Sequence, residues 1–330
     1  MSPQNNKNEW KVTKEFNNQR IDYWLKKKIT NISYPILCKF IRKGVVRING
    51  KRIKNSSIIN TGDLIKFSRI IKYEVDNNKN HYNEKFSEFI KSLVLFKDQY
   101  SIILNKPTGL AVQGGSKIKL NIDLMLDSLK FDLESRPRLV HRIDKQTSGI
   151  LLVARTLEAS KYFGELFKKR LINKKYLALV NGSLKFKSGK IILPIKIEDK
   201  ELESTTYFKQ LAFKDGVSLL LIKPITGRKH QIRSHLNSIG NPIIGENKFK
   251  NKKSLIHDGQ FYLHAFSLKF KTINGEIKDF DAPLPEHFNL LIEKLDFKKS
   301  LEKDLEFKNL SSYKIVSWMN IKILKGKNRY

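Results

Sequence analysis

The chain has 330 residues, and 64 Lys and Arg against 32 Asp and Glu give a formal net charge of +32 at pH 7. With 40% hydrophobic residues it can bury a core in roughly two domains, which excludes wholesale disorder. One cysteine, Cys38, excludes a disulfide scaffold or a multi-thiolate metal site, and no run approaches the ~18 apolar residues of a membrane span. The opening MSPQNNKNEWK lacks the apolar core of a signal peptide, so the expectation is a soluble, cytoplasmic, reduced protein with no membrane association. Lysine supplies 51 of the bases and arginine only 13, a bias that compositional drift could produce; the two-to-one excess of bases over acids points instead to a polyanionic partner, nucleic acid first.

Residues 1–72 carry 17 bases and 4 acids and read as two short helices and a hairpin. In RIDYWLKKK, Ile21, Trp24, Leu25 and Lys28 fall at helical spacing. Ser33 can cap a second helix with Pro35 in its first turn, Ile36, Leu37, Phe40 and Ile41 as its buried stripe, and Gly44 as its left-handed end. VVRI then alternates into Asn49-Gly50, a two-residue hairpin turn, and a second turn at Thr61-Gly62-Asp63 precedes LIKF. Arg42, Lys43, Arg47, Lys51, Arg52 and Lys54 cluster with no acid among them, which favours a phosphate-contacting surface over a merely solvated face.

Residues 73–88 are polar and without periodicity and read as a linker. From 89 to 296, LVLF, SIILN, ILLVAR, KYLALV, KIILPI, TTYFKQLAF, SLLLIKPI and FYLHAFSLKF read as strands. Apolar residues at 159, 162, 163, 166 and 167 mark one helix, and HQIRSHLNSI, closed by Gly240, marks another. Many strands with few helices predict an α+β fold with a mixed, largely antiparallel sheet flanked by helices. Residues 297–330 form a basic extension, either packed or a tail.

Several chemical motifs fail. GLAVQGGSK lacks the Gly-Lys-Ser/Thr of a phosphate loop, and G-x-G-x-x-G, G-x-S-x-G and H-E-x-x-H do not occur. His230 and His235, five apart, do not share a helical face, so no metal site is expected. Three segments remain. In RLVHRIDKQTSGILLVAR, Asp144 stands on a loop before an apolar strand, where it can serve chemistry or simply organise its own turn. In KKYLALVNG, Tyr176 opens an apolar run and is a functional or an ordinary core tyrosine. In KPITGRKHQIRSH, a strand runs into a helix whose first turns hold Arg228, Lys229, His230 and Arg233. Arg233 sits at the edge of the buried face, suited to pairing with an acid or to docking on phosphate.

HRIDKQTSGILLVAR resembles the catalytic-aspartate motif HRLDxxTSGLLLxA of the RluA-type pseudouridine synthases, with NKPTGLAVQGGS, KKYLALVNG, TGRKHQIRSHLNSIGNPIIG and FYLHAFSLKF resembling their other motifs in order. Residues 20–66 resemble an S4 RNA-binding domain, and the nearest likeness is to the RluC branch, which modifies 23S ribosomal RNA near the peptidyl-transferase region. The resemblance implies an S4-like domain over 1–72, a linker over 73–88, a synthase domain over 89–296 and an extension over 297–330. It implies Asp144 as the attacking carboxylate, Arg233 as its ion-pair partner, Tyr176 as the residue stacked on the base and Arg142 as the arginine filling the vacated space or binding phosphate. Leu263 and His264 fall on the closing strand near the pocket. It further implies no cofactor, no metal, a monomer, and 23S rRNA or a large-subunit assembly intermediate as partner. The alternatives are a non-catalytic S4-type assembly factor, or a synthase acting on other rRNA or tRNA uridines. Ile143 and Ile150 replace the common leucines, a volume-conserving change.

Overall fold

The runs read as strands form strands, and the segments read as helices near the N-terminus form helices. A computed structural model describes residues 9–29, 34–68, 79–114, 120–197, 199–249, 256, 258–302, 305–307, 310 and 313–316. Ser33, expected to cap the second helix, lies outside them.

From the N-terminus come β1 (Glu9–Lys11), β2 (Gln19–Arg20), α1 (Ile21–Lys28), α2 (Tyr34–Arg42), β3 (Val46–Ile48), β4 (Lys51–Arg52), β5 (Ile58–Ile59) and β6 (Leu64–Phe67). A four-stranded sheet runs β1-β6-β3-β4. Trp24 and Leu25 of α1 and Leu37 and Ile41 of α2 bury against Val46, Ile65 and Phe67 of that sheet. Asn49 and Gly50, at φ 48° and 77°, give the β3–β4 hairpin the doubly left-handed turn that matches strand twist. The expected stripe of α2 is shifted. Ile36 is exposed and Cys38 is buried, because the face centres on the Leu37–Ile41 pair four residues apart.

The polar stretch 73–88 is not wholly a linker. Helix α3 spans Lys79–Ser92. Among its described side chains Phe86 is half-buried and Ile90 buried, and Ile90 falls beyond a reading that stops at 88; residues 73–78 lie outside those described. The compact unit holding the N-terminal residues is also larger than 1–72. It takes residues 1–92, 113–138 and 155–157, including the short α4 (Ile122–Met125). The physical reason is a charge cluster. Asp127 accepts from Tyr23 Oη at 3.1 Å and pairs with Lys27 at 2.5 Å and Arg136 at 3.3 Å, while the Arg136 guanidinium stacks 4.1 Å from the Tyr23 ring.

The second unit is built on one large sheet. In chain order it has β7 (Val94–Lys97), β8 (Ser101–Lys106), β9 (Arg138–Leu139), β10 (Ser148–Ala154), α5 (Leu157–Lys168), β11 (Asn173–Asn181), β12 (Ser188–Ile192), β13 (Ile195–Ile197), β14 (Lys200–Leu202), β15 (Thr205–Lys214), β16 (Val217–Pro224), α6 (Gln231–Ser238), β17 (Leu263–Lys271), β18 (Ile277–Asp281), α7 (Glu286–Lys294), α8 (Lys298–Leu301) and β19 (Lys314–Val316). The sheet order is β19-β12-β15-β16-β11-β17-β10-β8-β7, with β18 beside β17 and β9 beside β10. β10–β17 and β12–β19 are parallel, and β7–β8, β8–β10, β11–β16, β11–β17, β12–β15, β15–β16 and β17–β18 are antiparallel. The central strands are buried on both faces, which is why β10, β11 and β16 read as continuous apolar runs. KIILPI divides at Leu193-Pro194, since proline cannot donate to a ladder. The extension packs in its described part: Phe297, Leu301, Leu305 and Phe307 join the main core, and β19 pairs with β12.

Candidate active site

The loop between β9 and β10 carries Asp144, and buried side chains fix it at several points. His141 is half-buried, and its Nε2 accepts the Leu152 N–H at 2.8 Å while its ring stacks on Phe167 at 4.3 Å. Burial, with some help from Lys174, pushes the His141 imidazole down to about 3, so it stays neutral as an acceptor must. Ser148 closes the loop through a 2.9 Å bond to His264 Nδ1, whose Nε2 faces the Ala282 carbonyl at 3.3 Å. That pattern makes Nε2 the protonated nitrogen and Ser148 the donor. Burial pushes the His264 imidazole down to about 4.

From below, Lys106 ends β8 as a fully buried side chain. Its ammonium donates to the carbonyls of Pro107 and Leu110 at 2.8 Å each and of Lys145 at 3.1 Å. Thr108 Oγ1 donates to the Gln146 carbonyl. The NKPTGL turn is thereby fastened to the residues that follow Asp144. Burial, offset in part by the Asp144 charge, pushes the Lys106 amine down to about 7. Three carbonyl acceptors for three N–H groups favour the ammonium.

Asp144 does not organise its turn through its side chain. The turn is closed by its backbone carbonyl, which accepts the Thr147 N–H at 3.1 Å. The carboxylate looks instead toward α6. His230 Nδ1 stands 2.9 Å from Oδ2, and Arg233 Nη1 stands 3.6 Å from the same oxygen. Burial raises the carboxyl pKa, but the His230 hydrogen bond and charge and then Arg233 outweigh it and hold the group below its ordinary value. Asp144 is therefore ionised at neutral pH.

Arg233 stands beside Asp144 as expected, and the structure adds a closer partner. The main partner of Arg233 is Glu246, a nearly fully buried carboxylate bound in bidentate fashion, Nε to Oε2 at 2.6 Å and Nη2 to Oε1 at 2.7 Å. Phe261 and Phe249 flank the guanidinium at 5.1 and 5.9 Å. Glu246 is held low in spite of its burial by Arg233 and by the Lys248 and Phe249 N–H groups. Arg233→Ala is consequently expected to do two things. It removes a cation from beside Asp144, so the acid limb of activity moves to higher pH, and it strands a buried carboxylate at a cost of about 3 kcal/mol or more. A pH–rate profile and an unfolding curve read the two effects separately; an unmoved acid limb would remove Arg233 from the electrostatics of Asp144.

Tyr176 opens the regular part of β11, at a bulge in its pairing with β17, and is half-buried against the main core. Its hydroxyl is pushed well above its ordinary value by burial and then by the Asp144 charge, which makes it a neutral phenol in electrostatic reach of the carboxylate. Leu263 and His264 begin β17, where His264 supports the loop as described. Arg142 is exposed on the loop, as are Arg42, Lys43, Arg47, Lys51, Arg52 and Lys54 on the helix–helix–hairpin unit. Among the described residues none of these seven pairs with a carboxylate. Sequence patterns do not single out Glu246, Lys106 or the pairing of His230 with Asp144. Among the described residues no group of three His, Cys, Asp or Glu could hold a metal ion, and no helix is long and apolar enough to cross a membrane.

Asp144 thus stands on a loop at the entry to a large mixed sheet, kept ionised by His230 just before α6 and by Arg233 within it. The model for RNA pseudouridylate synthase matches residues 99–238. A protein of Buchnera aphidicola subsp. Baizongia pistaciae named ribosomal large subunit pseudouridine synthase C is 34% identical over 280 residues, 78% of this chain and 88% of that one. The protein of the same name from Escherichia coli is 30% identical over 308 residues, 86% of this chain and 95% of that one. The fold is shared with the solved structure of human RNA pseudouridylate synthase domain containing 4, at a TM-score of 0.57 and 22% identity over 65% of this chain and 97% of that one. The chain belongs to the RNA pseudouridylate synthase family.

Proposed function

We propose that the chain isomerises specific uridines of 23S ribosomal RNA, near the peptidyl-transferase region, to pseudouridine. The relatives named ribosomal large subunit pseudouridine synthase C support the RNA class. The observation that carries the chemistry is the ionised Asp144 carboxylate, tied to His230 through one oxygen at 2.9 Å.

The reaction breaks the N1–C1′ bond, rotates the freed uracil and joins C5 to C1′; C5 gives up a proton and N1 gains one. Nothing is oxidised or reduced, so side chains suffice. An ionised carboxylate can attack at C1′ or at the uracil ring, or take a ribose proton. Asp144 takes that role. Arg233 sustains its charge with a Coulomb attraction of about 4 kcal/mol near a surface, part of which desolvation cancels. Tyr176, a neutral phenol, offers its ring to the base. The target uridine leaves its stack at a cost of a few kcal/mol, which favours looped or single-stranded RNA over A-form helices whose base edges are hidden. Arg142, exposed beside Asp144 in sequence, fills the vacated position or holds a phosphate. Mapping pseudouridines in 23S rRNA from cells with and without the gene tests the proposal. Sites that vanish and return with the wild-type gene are expected; an unchanged map would overturn it.

The helix–helix–hairpin unit acts as the S4-type RNA-binding module, with its six exposed bases on phosphates. Deleting residues 1–72 is a poor test, because it would strip Tyr23 and Lys27 from Asp127 and Arg136. Replacing Arg47 and Arg52, which stand opposite each other on the hairpin, by alanine leaves that cluster intact. Removing each base that holds a phosphate should flatten the log–log salt dependence of RNA affinity by about 0.7 to 0.9. A slope equal to wild type would show that these bases only solvate the surface.

A further inference from the structure

The nearest partner of Asp144 has a backbone conformation that side chains other than glycine seldom adopt. His230, at φ 56° and ψ 24°, is left-handed immediately before α6. Such a conformation persists only where the surroundings enforce it. Here the next residue enforces it. Gln231 is buried, and both ends of its amide are used. Oε1 accepts from Thr226 Oγ1 at 2.6 Å and from the Arg228 N–H at 3.0 Å. Nε2 donates to the Thr205 carbonyl at 3.0 Å and to Thr206 Oγ1 at 2.9 Å. The turn from 226 to 231 is thus pinned to β15, and His230 has no room to relax into the helix.

The consequence is the placement of one ring nitrogen. Nδ1 lies 2.9 Å from Asp144 Oδ2 and also 2.9 Å from Arg233 Nη1. It cannot serve both: with its proton it donates to the carboxylate, and without it accepts from the guanidinium. Arg233 is already anchored on Glu246 through Nε and Nη2, and a carboxylate is the stronger acceptor, so Nδ1–H points to Asp144. The other carboxylate oxygen has no hydrogen bond among the described residues. The remaining charged or titratable groups that act on Asp144 are Arg233 from α6, Lys106 from β8 and Tyr176 from β11.

We propose that His230 is a positioning residue for the isomerisation: it ties one oxygen of Asp144 and leaves the other to react, and Gln231 holds the left-handed turn that makes this possible. The proposal rests on the reading of Asp144 as the reacting carboxylate.

Two substitutions separate the hydrogen bond from the backbone. His230→Gly fits the left-handed conformation and removes the donor. His230→Asn also tolerates that conformation and carries an N–H near the Nδ1 position. With the full chain and its RNA substrate, His230→Gly should lower kcat about 10- to 100-fold with KM within about twofold of wild type. His230→Asn should recover kcat to within about fivefold. A glycine variant as fast as wild type, or an asparagine variant no faster than glycine, would overturn the proposal. A carbon-13 NMR titration of the Asp144 carboxyl adds a readout that needs no turnover. The glycine variant should titrate higher than wild type, because a hydrogen bond to the charged form is gone; equal titrations overturn the proposal as well. A wild-type chain that makes no pseudouridine would instead count against the reading of Asp144, and the titration would still decide the role of His230.

Discussion

Asp144→Asn is expected to abolish pseudouridine formation, a loss of about 10⁴-fold or more in kcat, while the chain folds and binds RNA as before. An amide is neither a useful nucleophile nor a base, so the chemical step loses its reacting group. The surroundings tolerate the change for a specific reason. Removing one partner of a buried ion pair normally strands the other at a cost of several kcal/mol. Here Arg233 keeps its bidentate contact with Glu246, so its guanidinium is not stranded. The asparagine oxygen can still accept from His230, and the Lys106 ammonium keeps its three carbonyls. A second consequence is visible in acid. A carboxyl whose folded-state pKa lies below its unfolded value adds stability above about pH 4, lost as pH falls through the lower folded value. The asparagine variant lacks that contribution and should lose less stability over the same acid window. Pseudouridine mapping, RNA affinity and unfolding at two pH values read the three effects. Near wild-type conversion would remove Asp144 from the chemistry.

The parts of this site that could be read from the sequence are those with a local signature. Asp144 lies in a turn between apolar runs, Tyr176 begins a buried strand, and Arg233 falls at the edge of a helical face; spacing places each of them but leaves its role open, and only the motif resemblance assigns the roles. The strands β10, β11 and β16 are equally plain, because burial on both faces makes a long apolar run. What stays hidden depends on tertiary contact or on backbone angle. Glu246 follows Arg233 by 13 residues and meets it only once the chain has turned back after α6. Lys106 looks like the polar end of a strand until three carbonyls from two loops converge on it. A left-handed histidine has no composition signal at all, and the fixed turn becomes visible only through Gln231. β18 escapes notice because only two of the five residues of IKDFD are even partly buried, and α3 because its buried Ile90 lies near its end, past the polar stretch.

Gly149→Ala should be among the most damaging single substitutions outside the reacting groups, at about 3–5 kcal/mol of stability. Gly149 is the second residue of β10, where the Asp144 loop enters the sheet. It pairs on one side with Lys106 of β8 and on the other, in parallel, with Ala265 of β17. A methyl group there would lie 2.8 Å from the Ala265 carbonyl carbon and amide nitrogen, and closer still to its oxygen. These are backbone atoms of a central strand, so neither side can yield without breaking the ladder that also holds Ser148 beside His264. The φ of 103° adds strain for any L side chain. Strained backbone at ~1–3 kcal/mol and overpacking at ~1–3 kcal/mol together span ~2–6 kcal/mol, and the figure above is the middle of that span, which corresponds to a fall of about 10 °C in Tm. Gly164 is the control. It lies inside α5 with open space where a Cβ would go, so Gly164→Ala should stabilise by up to about 1 kcal/mol. Denaturant unfolding of the two variants should give midpoints on opposite sides of wild type. If Gly149→Ala unfolds at the wild-type midpoint, the close approach of β10 and β17 cannot be what fixes the entry of the Asp144 loop.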